Sequence, residues 1–297
     1  MILPANPGGF ARAARALSQG ELVALPTETV YGLAADARNA DAVARVYALK
    51  GRPSSNPLIT HITDPGQAGD YGMMNAHAQA LAGRFWPGPL TLVVERKASH
   101  LASGADAGLP TIALRCPDTP WRAYIPGPLV MPSANLSGHV SPTTAEHVAA
   151  EFGDDLLVID GGPCVQGIES TVVRVTGAGA TVLRPGTVLE EEIAAVVPLT
   201  ETEHVGSPGL LSKHYAPSKS VRLDVTHPRE GEFLIGYGDV SGDLSLGPSL
   251  PEAARNLYAA LRTADESSVS AIAIAPIPRE GLGIALNDRL ARAARGR

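Results

Sequence analysis

Short apolar runs that alternate with helical stretches restrict the fold of this 297-residue chain more than any other feature of its sequence. Across the first two thirds, runs such as Leu90–Glu95 and Thr111–Arg115 have the length and composition of strands. Between them lie stretches with helical periodicity, one of which begins at Asn39, a residue suited to cap a helix. This alternation predicts an α/β sheet domain, which we place at residues 1–198.

The composition and periodicity of the sequence change after about Pro198. Residues 199–220 are polar, contain Gly, Pro, Ser and His, and show neither a helical nor a strand period. We interpret them as a linker, because a structureless stretch of ~20 residues is unusual inside a compact domain and is often functional. Regular structure returns near Val221, which predicts a second, small α/β domain at residues 221–297.

Composition and charge argue against several classes of protein. The net charge of −6 disfavours a general nucleic-acid coat, which usually needs a basic surface. The two cysteines, Cys116 and Cys164, are far apart and lack metal-ligand or redox spacing, so we expect no disulfide and no metal site. No apolar run approaches the ~20 residues of a membrane helix, and no signal-peptide pattern is present. We expect a cytoplasmic protein that does not contact a membrane.

The familiar motifs of nucleotide-binding and hydrolytic sites are missing from the sequence. There is no Gly-rich loop that ends in Lys-Ser or Lys-Thr, no Gly-x-Ser-x-Gly elbow and no zinc-hydrolase His-Glu pair. Gly236-Tyr237-Gly238 follows a predicted strand, but the third glycine is misplaced and no helix follows at once, so we interpret it as a turn. The candidates that remain are polar clusters at the ends of predicted strands.

Two of these clusters lie in the first sixty residues. Pro26–Gly32 is either a polar turn or a loop that presents hydroxyls to a ligand. In the segment Lys50–Pro57, Lys50 continues the apolar face of the preceding helix, where a lysine costs desolvation unless it meets an anion. Lys50 and Arg52 in a loop stiffened by prolines suit phosphate; the alternative is that Lys50 extends past the helix end into solvent.

Three further clusters follow later strands. Arg115 ends a strand and shares a face with Thr111, where it either clamps a carboxylate or forms a surface ion pair. Residues 131–143 offer small hydroxyl and amide groups that suit phosphate or ribose oxygens, although part of the run also suits a helix cap. Residues 167–171 and 183–186 add more hydroxyls and an arginine. Together, the clusters suggest a site for a triphosphate and a small polar acid.

In order along the chain, the segments Pro26–Leu33, Lys50–Leu58, Pro132–Thr143, Glu169–Val173 and Leu183–Gly186 resemble the threonylcarbamoyl-AMP synthase family. The resemblance covers about residues 8–198 and implies a YrdC-like domain, a twisted open mixed α/β sheet with a large concave cleft. The remaining residues are similar to the long form of the family, which adds a linker that covers the site and a small C-terminal α/β domain. Within the linker, the similar residues are Ser207-Pro208-Gly209 and His214–Pro217, while Leu210 and Ser212 depart from the usual pattern.

The resemblance assigns functional residues position by position, with Lys50 and Arg52 as the catalytic cations. The residues implied to hold L-threonine are Thr29, His61, Arg115, Ser133 and Ser170, with Arg115 on the carboxylate. Those implied to hold ATP, besides Lys50, are Arg52, Asn56, Thr111, Asn135, Thr143, Arg184 and Tyr215. Judged without the resemblance, a lone strand histidine such as His61 is more often a core residue than a ligand.

The implied reaction joins L-threonine, bicarbonate or CO2 and ATP into threonylcarbamoyl-AMP and pyrophosphate. A threonine carbamate would attack the α-phosphorus of ATP, Mg2+ would accompany the phosphates, and a separate tRNA-threonylcarbamoyl transferase machinery would consume the product. Two rival functions stay open. The cleft cations also fit an RNA-binding module with weak RNA contacts, although the acidic total charge does not. A carbamoyl-transfer maturation enzyme would use the same domain but would need zinc-finger cysteine pairs, which two isolated cysteines cannot supply.

Overall fold

Two β-sheets organise the computed structural model, which describes residues 1–201 and 214–296. The large sheet and its helices are formed by β1 Ile2–Pro4, α1 Pro7–Ser18, β2 Val23–Leu25, β3 Gly32–Asp36, α2 Ala40–Lys50, β4 Ile59–His61, α3 Ala68–Tyr71, α4 Ala76–Phe85, β5 Leu90–Glu95, β6 Thr111–Arg115, β7 Leu129–Val130, α5 Ala145–Phe152, β8 Leu157–Asp160, β9 Thr171–Thr176, β10 Gly179–Arg184 and α6 Glu190–Ala194. The small sheet and its helices are β11 Ser220–Arg222, β12 Glu232–Gly236, β13 Leu244–Ser245, α7 Leu250–Glu266, β14 Ala271–Ile274 and α8 Leu282–Ala293.

The large sheet is mixed, with the strand order β1-β8-β2-β3-β7-β4-β6-β5-β9-β10. Strands β4 and β6 run parallel, as do β5 and β9, whereas β5 and β6, and β9 and β10, run antiparallel. The small sheet is parallel throughout its described strands, in the order β11-β14-β12-β13. These observations confirm the predicted mixed α/β sheet followed by a small α/β unit.

Local sequence signals set the ends of α2, the helix that leads to the first cationic cluster. The Asn39 side chain accepts a hydrogen bond from the Ala42 amide at 3.1 Å and so caps the helix, as predicted. Gly51 ends it in the left-handed conformation, with φ of 60°, which glycine adopts without steric cost. Lys50 is therefore the last residue of the helix, and Arg52 lies in the loop beyond the turn.

The small unit packs directly against the large one. Its core includes Leu257, Tyr258 and Ile274, and the same apolar cluster contains Val30, Val140 and Ile168 from the large unit. These three residues belong to, or adjoin, the polar segments that the sequence marks as candidate site loops. The small unit therefore covers one side of the loops that carry the candidate site.

Several elements differ from the sequence prediction. Strand β3, which follows the polar segment at Pro26, was not predicted, because Gly32–Asp36 contains glycine and alanine instead of β-branched residues. The short elements β1 and α6 were also not predicted. Ser220, which we placed in the linker, begins β11. Ser207-Pro208-Gly209, Leu210 and Ser212 of the predicted linker lie outside the described residues.

No helix among the described residues combines the length and the apolar character that crossing a membrane requires. Cys116 and Cys164 are both buried free thiols.

Candidate active site

One cavity in the large unit collects polar side chains from all five clusters and from the segment that precedes β11. The empty space within it and at its mouth, open solvent included, is ≈ 570 Å³. Among the predicted site residues, those that line it are Thr29, Arg52, His61, Arg115, Ser133, Ser170, Arg184 and Tyr215.

The topology of the sheet explains why residues so distant in sequence meet. Strands β4 and β6 are parallel neighbours, and their last residues, His61 and Arg115, are register partners. Strands β9 and β10 are antiparallel, so the beginning of β9, next to Ser170, lies beside the end of β10 at Arg184. A register shift between Val182 and Arg184 interrupts this pairing, which is a common way to redirect a side chain.

Arg184 and Ser170 form a fixed pair in the wall of the cavity. The Arg184 guanidinium donates from Nη2 to the Ser170 carbonyl at 2.9 Å and to its hydroxyl at 3.2 Å, and from Nε to the same carbonyl at 3.2 Å. The Ser170 hydroxyl also shares a hydrogen bond of 2.8 Å with Thr91. Both residues are buried, so neither can change rotamer without breaking hydrogen bonds.

Arg52 approaches the cavity from the loop after α2. Its Nε donates to the Asn56 carbonyl at 3.2 Å and Nη2 donates to the Pro57 carbonyl at 2.9 Å. Burial, as the main cause, and the charge of Arg184 lower the pKa of Arg52 to about 10 against the opposing effect of nearby tyrosines. Among the described residues, neither arginine has a carboxylate partner. The two cations therefore leave the cavity with a local excess of positive charge.

Lys50 is buried at the end of α2, as the helical periodicity predicts, but its ammonium group faces main-chain carbonyls. It donates to the Ser133 carbonyl at 2.5 Å and to the Asn135 carbonyl. Burial lowers its pKa to about 7, and the charge of Arg52 acts in the same direction. Lys50 is not among the residues that line the cavity; it holds the loop that carries Ser133.

Arg115 forms a buried ion pair, not the surface pair that the sequence left open. Its Nη2 lies 2.8 Å from the Glu28 carboxylate, and its Nε donates to the Gly88 carbonyl at 3.3 Å. Burial, followed by the charge of Arg115, lowers the pKa of the neighbouring His61 to about 3, so the imidazole is neutral. The His61 Nδ1 lies 3.1 Å from the Ile59 carbonyl, which assigns the proton to Nδ1 and leaves Nε2 as an acceptor.

The threonine-rich loop before β3 is tied together by its own hydroxyls. The Thr27 hydroxyl shares a 2.8 Å hydrogen bond with the Thr29 hydroxyl and donates to the Val30 carbonyl at 2.6 Å. Thr29 is buried and lines the cavity, so its hydroxyl is held at a fixed position in the wall.

Four more of the predicted residues do not line the cavity. Asn56 is buried directly before Pro57, which does line it, and Asn135 donates to the Leu136 and His139 carbonyls. Thr143 contacts His147, with its hydroxyl 3.4 Å from the His147 Nδ1. Thr111 begins β6, at the opposite end of that strand from Arg115, and pairs with Glu95.

Three cavity residues carry features that the sequence clusters alone did not single out. Glu169 is a buried carboxylate, and charges of Arg289 and Arg184 lower its pKa to about 2 although burial itself opposes this. His214 is buried, and desolvation lowers its pKa to about 3. Tyr215 is fully buried with φ of 62°, and its hydroxyl has no hydrogen-bond partner among the described residues. A buried hydroxyl without a partner is costly unless a ligand supplies one.

Comparison with known proteins connects this geometry to a family. Residues 15–186 match the Sua5/YciO/YrdC sequence family, which carries the description "Telomere recombination". Residues 188–295 match the family "Threonylcarbamoyl-AMP synthase, C-terminal domain". The threonylcarbamoyl-AMP synthase of Bacillus subtilis is 40% identical over 99% of this chain and 95% of its own length.

The chain belongs to the threonylcarbamoyl-AMP synthase family.

Other members of the family are similar over nearly the same length. The threonylcarbamoyl-AMP synthase of Pyrococcus abyssi is 39% identical over 95% of this chain and 93% of its own length. A crystal structure of P. abyssi Sua5 complexed with L-threonine superposes with a TM-score of 0.87, at 35% identity, over 99% of this chain and 96% of that one. The two-unit form of this enzyme family, predicted from the sequence, is therefore confirmed.

Proposed function

We propose that this protein is an L-threonylcarbamoyladenylate synthase that transfers the adenylyl group of ATP to a carbamate of L-threonine. One observation carries the proposal: a single cavity contains two arginines without carboxylate partners and, beside them, all of the residues proposed to bind threonine. A triphosphate and an amino acid would lie next to each other there. The crystal structure of P. abyssi Sua5 with L-threonine supports threonine as one of the substrates.

The polar groups of the cavity divide by chemistry between the two substrates. Arg115 would bind the threonine carboxylate, for which its planar guanidinium offers two parallel donors. The neutral His61 would accept a hydrogen bond through Nε2, and the hydroxyls of Thr29, Ser133 and Ser170 would complete the threonine site. Arg52 and Arg184 would bind the phosphates, together with Asn56, Thr111, Asn135 and Thr143 as outer contacts to ATP. The Tyr215 hydroxyl would contact the nucleotide.

The reaction would begin with the threonine amine and bicarbonate, which combine to form a carbamate and water. The cations of the cavity help here, because nearby positive charge lowers the pKa of the bound ammonium group and favours the nucleophilic amine. A carbamate oxygen then forms a bond to the α-phosphorus of ATP. The bond from that phosphorus to the bridging oxygen breaks, and the electron pair leaves with pyrophosphate.

The contribution of the protein would be positioning and charge stabilisation. Arg52 and Arg184 would stabilise the charge that develops on the phosphate oxygens, and Lys50 would fix the loop that carries Ser133. Among residues 1–201 and 214–296 no group of three or more His, Cys, Asp or Glu side chains could hold a metal ion. We therefore infer that Mg2+ enters as the MgATP substrate, held mainly by phosphate oxygens and water.

The decisive experiment is a pyrophosphate-release assay with ATP in the presence and absence of L-threonine and of bicarbonate. We expect release that depends on both, and incorporation of labelled bicarbonate into a product that also contains AMP. Substitution of Arg52 or Lys50 by Ala should slow release by about tenfold or more, because loss of a charge-assisted contact costs ~1.5–3 kcal/mol. Release without threonine, or wild-type rates in both variants, would refute the proposal.

The role of the product belongs to the same proposal. A mixed carbamic–phosphoric anhydride is an activated acyl donor, so a transferase must consume it. We propose that the acceptor is tRNA, as the resemblance described above implies. Mixing the enzyme with that transferase machinery and tRNA should give threonine-labelled tRNA. Salt-dependent RNA binding without threonine-dependent turnover would instead favour the RNA-binding alternative.

A further inference from the structure

Arg289 is a fully buried arginine on α8 of the small unit that contacts the large unit. Its Nε donates to the Glu169 carboxylate at 3.1 Å, and its Nη2 donates to the Pro185 carbonyl at 2.8 Å. The remaining nitrogen, Nη1, lies 2.7 Å from Asp288 on its own helix. One guanidinium therefore bridges two segments of the large unit and is oriented by a carboxylate of the small one.

The Glu169 carboxylate is shared between the two units. From the large unit, the Ser141 hydroxyl donates to Oε1 at 2.6 Å. From the small unit, the Tyr258 hydroxyl donates to Oε2 at 2.8 Å, beside the Arg289 bond to the same oxygen. Every group in this network is buried. A buried ion pair of this kind is weak evidence for net stabilisation, because both charges lose their hydration.

The two segments that Arg289 bridges are those that carry the Arg184–Ser170 pair. Glu169 directly precedes Ser170, and Pro185 directly follows Arg184. The Arg289 guanidinium thus holds together the two segments between which Arg184 donates to Ser170. Arg289 itself does not line the cavity.

The same guanidinium also contacts an aromatic residue that lines the cavity. Its carbon Cζ lies 5.4 Å from the centroid of the Tyr215 ring, within the range of a cation–π contact. Tyr215 in turn stacks on Tyr258, with ring centroids 5.6 Å apart and planes inclined by 26°. The positions of three cavity residues, Ser170, Arg184 and Tyr215, therefore depend on contacts with the small unit.

We propose that Arg289 is a positioning residue through which the small unit fixes the relative geometry of the threonine-binding and ATP-binding sides of the cavity. The inference rests on the proposed function for its description of the two substrates. It assigns to the small unit a direct part in shaping the site. A planar fork is needed, because a lysine offers one point charge and cannot donate to Glu169 and Pro185 while lying flat over Tyr215.

The test compares Arg289→Met and Arg289→Lys with the wild type in steady-state pyrophosphate release. We expect the KM values for both ATP and threonine to rise by about tenfold. Small displacements of binding groups weaken the contacts that hold each substrate in its reactive position. A role in stability alone would lower the amount of active enzyme, which reduces the apparent kcat and leaves both KM values unchanged. Wild-type KM values in folded Arg289→Lys would overturn the proposal.

The double variant Arg289→Met with Glu169→Gln separates positioning from folding. Glutamine retains the polar contacts with Ser141 and Tyr258, and removal of both charges leaves no uncompensated ion in the core. We expect its melting temperature to recover relative to Arg289→Met while both KM values stay raised. If stability and both KM values recover together, Arg289 has only a structural role and the proposal fails.

Arg279→Met is the matched control, because Arg279 is an arginine of the same unit whose ion pair with Asp224, at 3.3 Å, is exposed. It should behave as the wild type. ATP affinity measured by calorimetry without threonine supplies a second readout, with about tenfold weaker binding expected in the double variant. If the wild type binds ATP but shows no threonine-dependent turnover, the proposed function fails, and ATP affinity alone then decides the role of Arg289.

Discussion

The guanidinium of Arg184 donates to the carbonyl and the hydroxyl of Ser170, so a residue proposed to bind ATP is held against one proposed to bind threonine. This contact matters for the chemistry, because a carbamate oxygen must reach the α-phosphorus at a distance of ~3–3.5 Å. The hydrogen bonds between Arg184 and Ser170 join the two proposed substrate sites and so fix the distance between the substrates. The two substrates should therefore respond together when the contact is disturbed.

Arg184→Lys tests this coupling. Lysine keeps the positive charge but cannot donate from a rigid fork to both oxygens of Ser170. We expect the KM for ATP to rise by about tenfold or more, because at least one charge-assisted hydrogen bond is lost. The KM for threonine should rise as well, by a smaller factor, because Ser170 loses a partner that orients it. Both constants follow from initial rates of pyrophosphate release.

Arg174→Lys is the corresponding control. Arg174 lies on β9, the strand that Ser170 precedes, but it does not line the cavity. It should leave both KM values within about twofold, the range expected of a surface substitution. An equal effect in the two variants would show that β9 tolerates no change and that the contact between Arg184 and Ser170 has no special role.

Arg115→Met should affect threonine selectively. The Arg115 guanidinium faces the cavity next to His61 and is oriented by Glu28, whereas the phosphates are assigned to Arg52 and Arg184. We expect the threonine affinity to fall by about a hundredfold, since a bidentate charged contact is lost, and the ATP affinity to change little. Calorimetric titrations with each substrate separately give the two values.

Arg96→Met separates this effect from a loss of stability. Arg96 pairs with the buried Asp106 at 2.9 Å, outside the cavity, so its removal leaves a buried carboxylate without its cation. It should lower the melting temperature and leave threonine affinity unchanged. Weakened threonine binding in Arg96→Met would mean that a general loss of stability explains the weaker threonine binding of Arg115→Met.

The sequence predicted the positions of the site more completely than the contacts within it. Arg115 and His61 end neighbouring parallel strands, and strand ends are recognisable from short apolar runs followed by polar residues. The burial of Lys50 was likewise predictable from its place on the apolar face of α2. Its partners were not, because the carbonyls of Ser133 and Asn135 come from a loop more than eighty positions away.

The contact between the two units could not be predicted from the sequence for the same physical reason. Glu169 and Arg289 are separated by 120 positions, and no periodicity links a loop of the large unit to a helix of the small one. Strand β3 was missed because local composition opposes it: Gly32–Asp36 is a strand through its pairing with β2 and β7. Tertiary contacts decide such elements, and a local pattern cannot report them.

Tyr215→Phe tests whether the unpartnered hydroxyl serves a ligand. Removing a hydroxyl that has no partner among the described residues should leave the melting temperature of the free protein unchanged or raise it. ATP affinity should fall by about fivefold to tenfold, which corresponds to one hydrogen bond of ~1–1.4 kcal/mol. Thermal unfolding and calorimetric titration with ATP give the two results.

Tyr258→Phe is the control for Tyr215→Phe and should change the melting temperature in the opposite direction. Its hydroxyl donates to Glu169 at 2.8 Å, so its removal leaves a buried carboxylate with one hydrogen bond fewer and should lower the melting temperature. Equal ATP affinities of Tyr215→Phe and the wild type would show that the Tyr215 hydroxyl does not contact the nucleotide.

The lowered pKa of Lys50 predicts that ATP binding takes up a proton near pH 8. In the free protein, burial and the charge of Arg52 lower this pKa from 10.5 to about 7, so Lys50 is mostly neutral at pH 8. The unfolded chain binds that proton up to a higher pH, so in the free protein this group makes stability rise with pH between about 7 and 10.5. A triphosphate at Arg52 offsets the positive charge and so raises the Lys50 pKa, which means that ATP affinity should fall as the pH rises above about 7.

Calorimetry at pH 8 in two buffers of different ionisation enthalpy measures this uptake. We expect up to about one proton per ATP at pH 8 and almost none at pH 6, where Lys50 is already charged in the free protein. Lys50→Met should abolish the difference between buffers, whereas Lys97→Met, which removes a lysine that donates to the Gly69 carbonyl outside the cavity, should preserve it. Identical heats in both buffers at pH 8 would contradict the predicted coupling between ATP binding and the Lys50 proton.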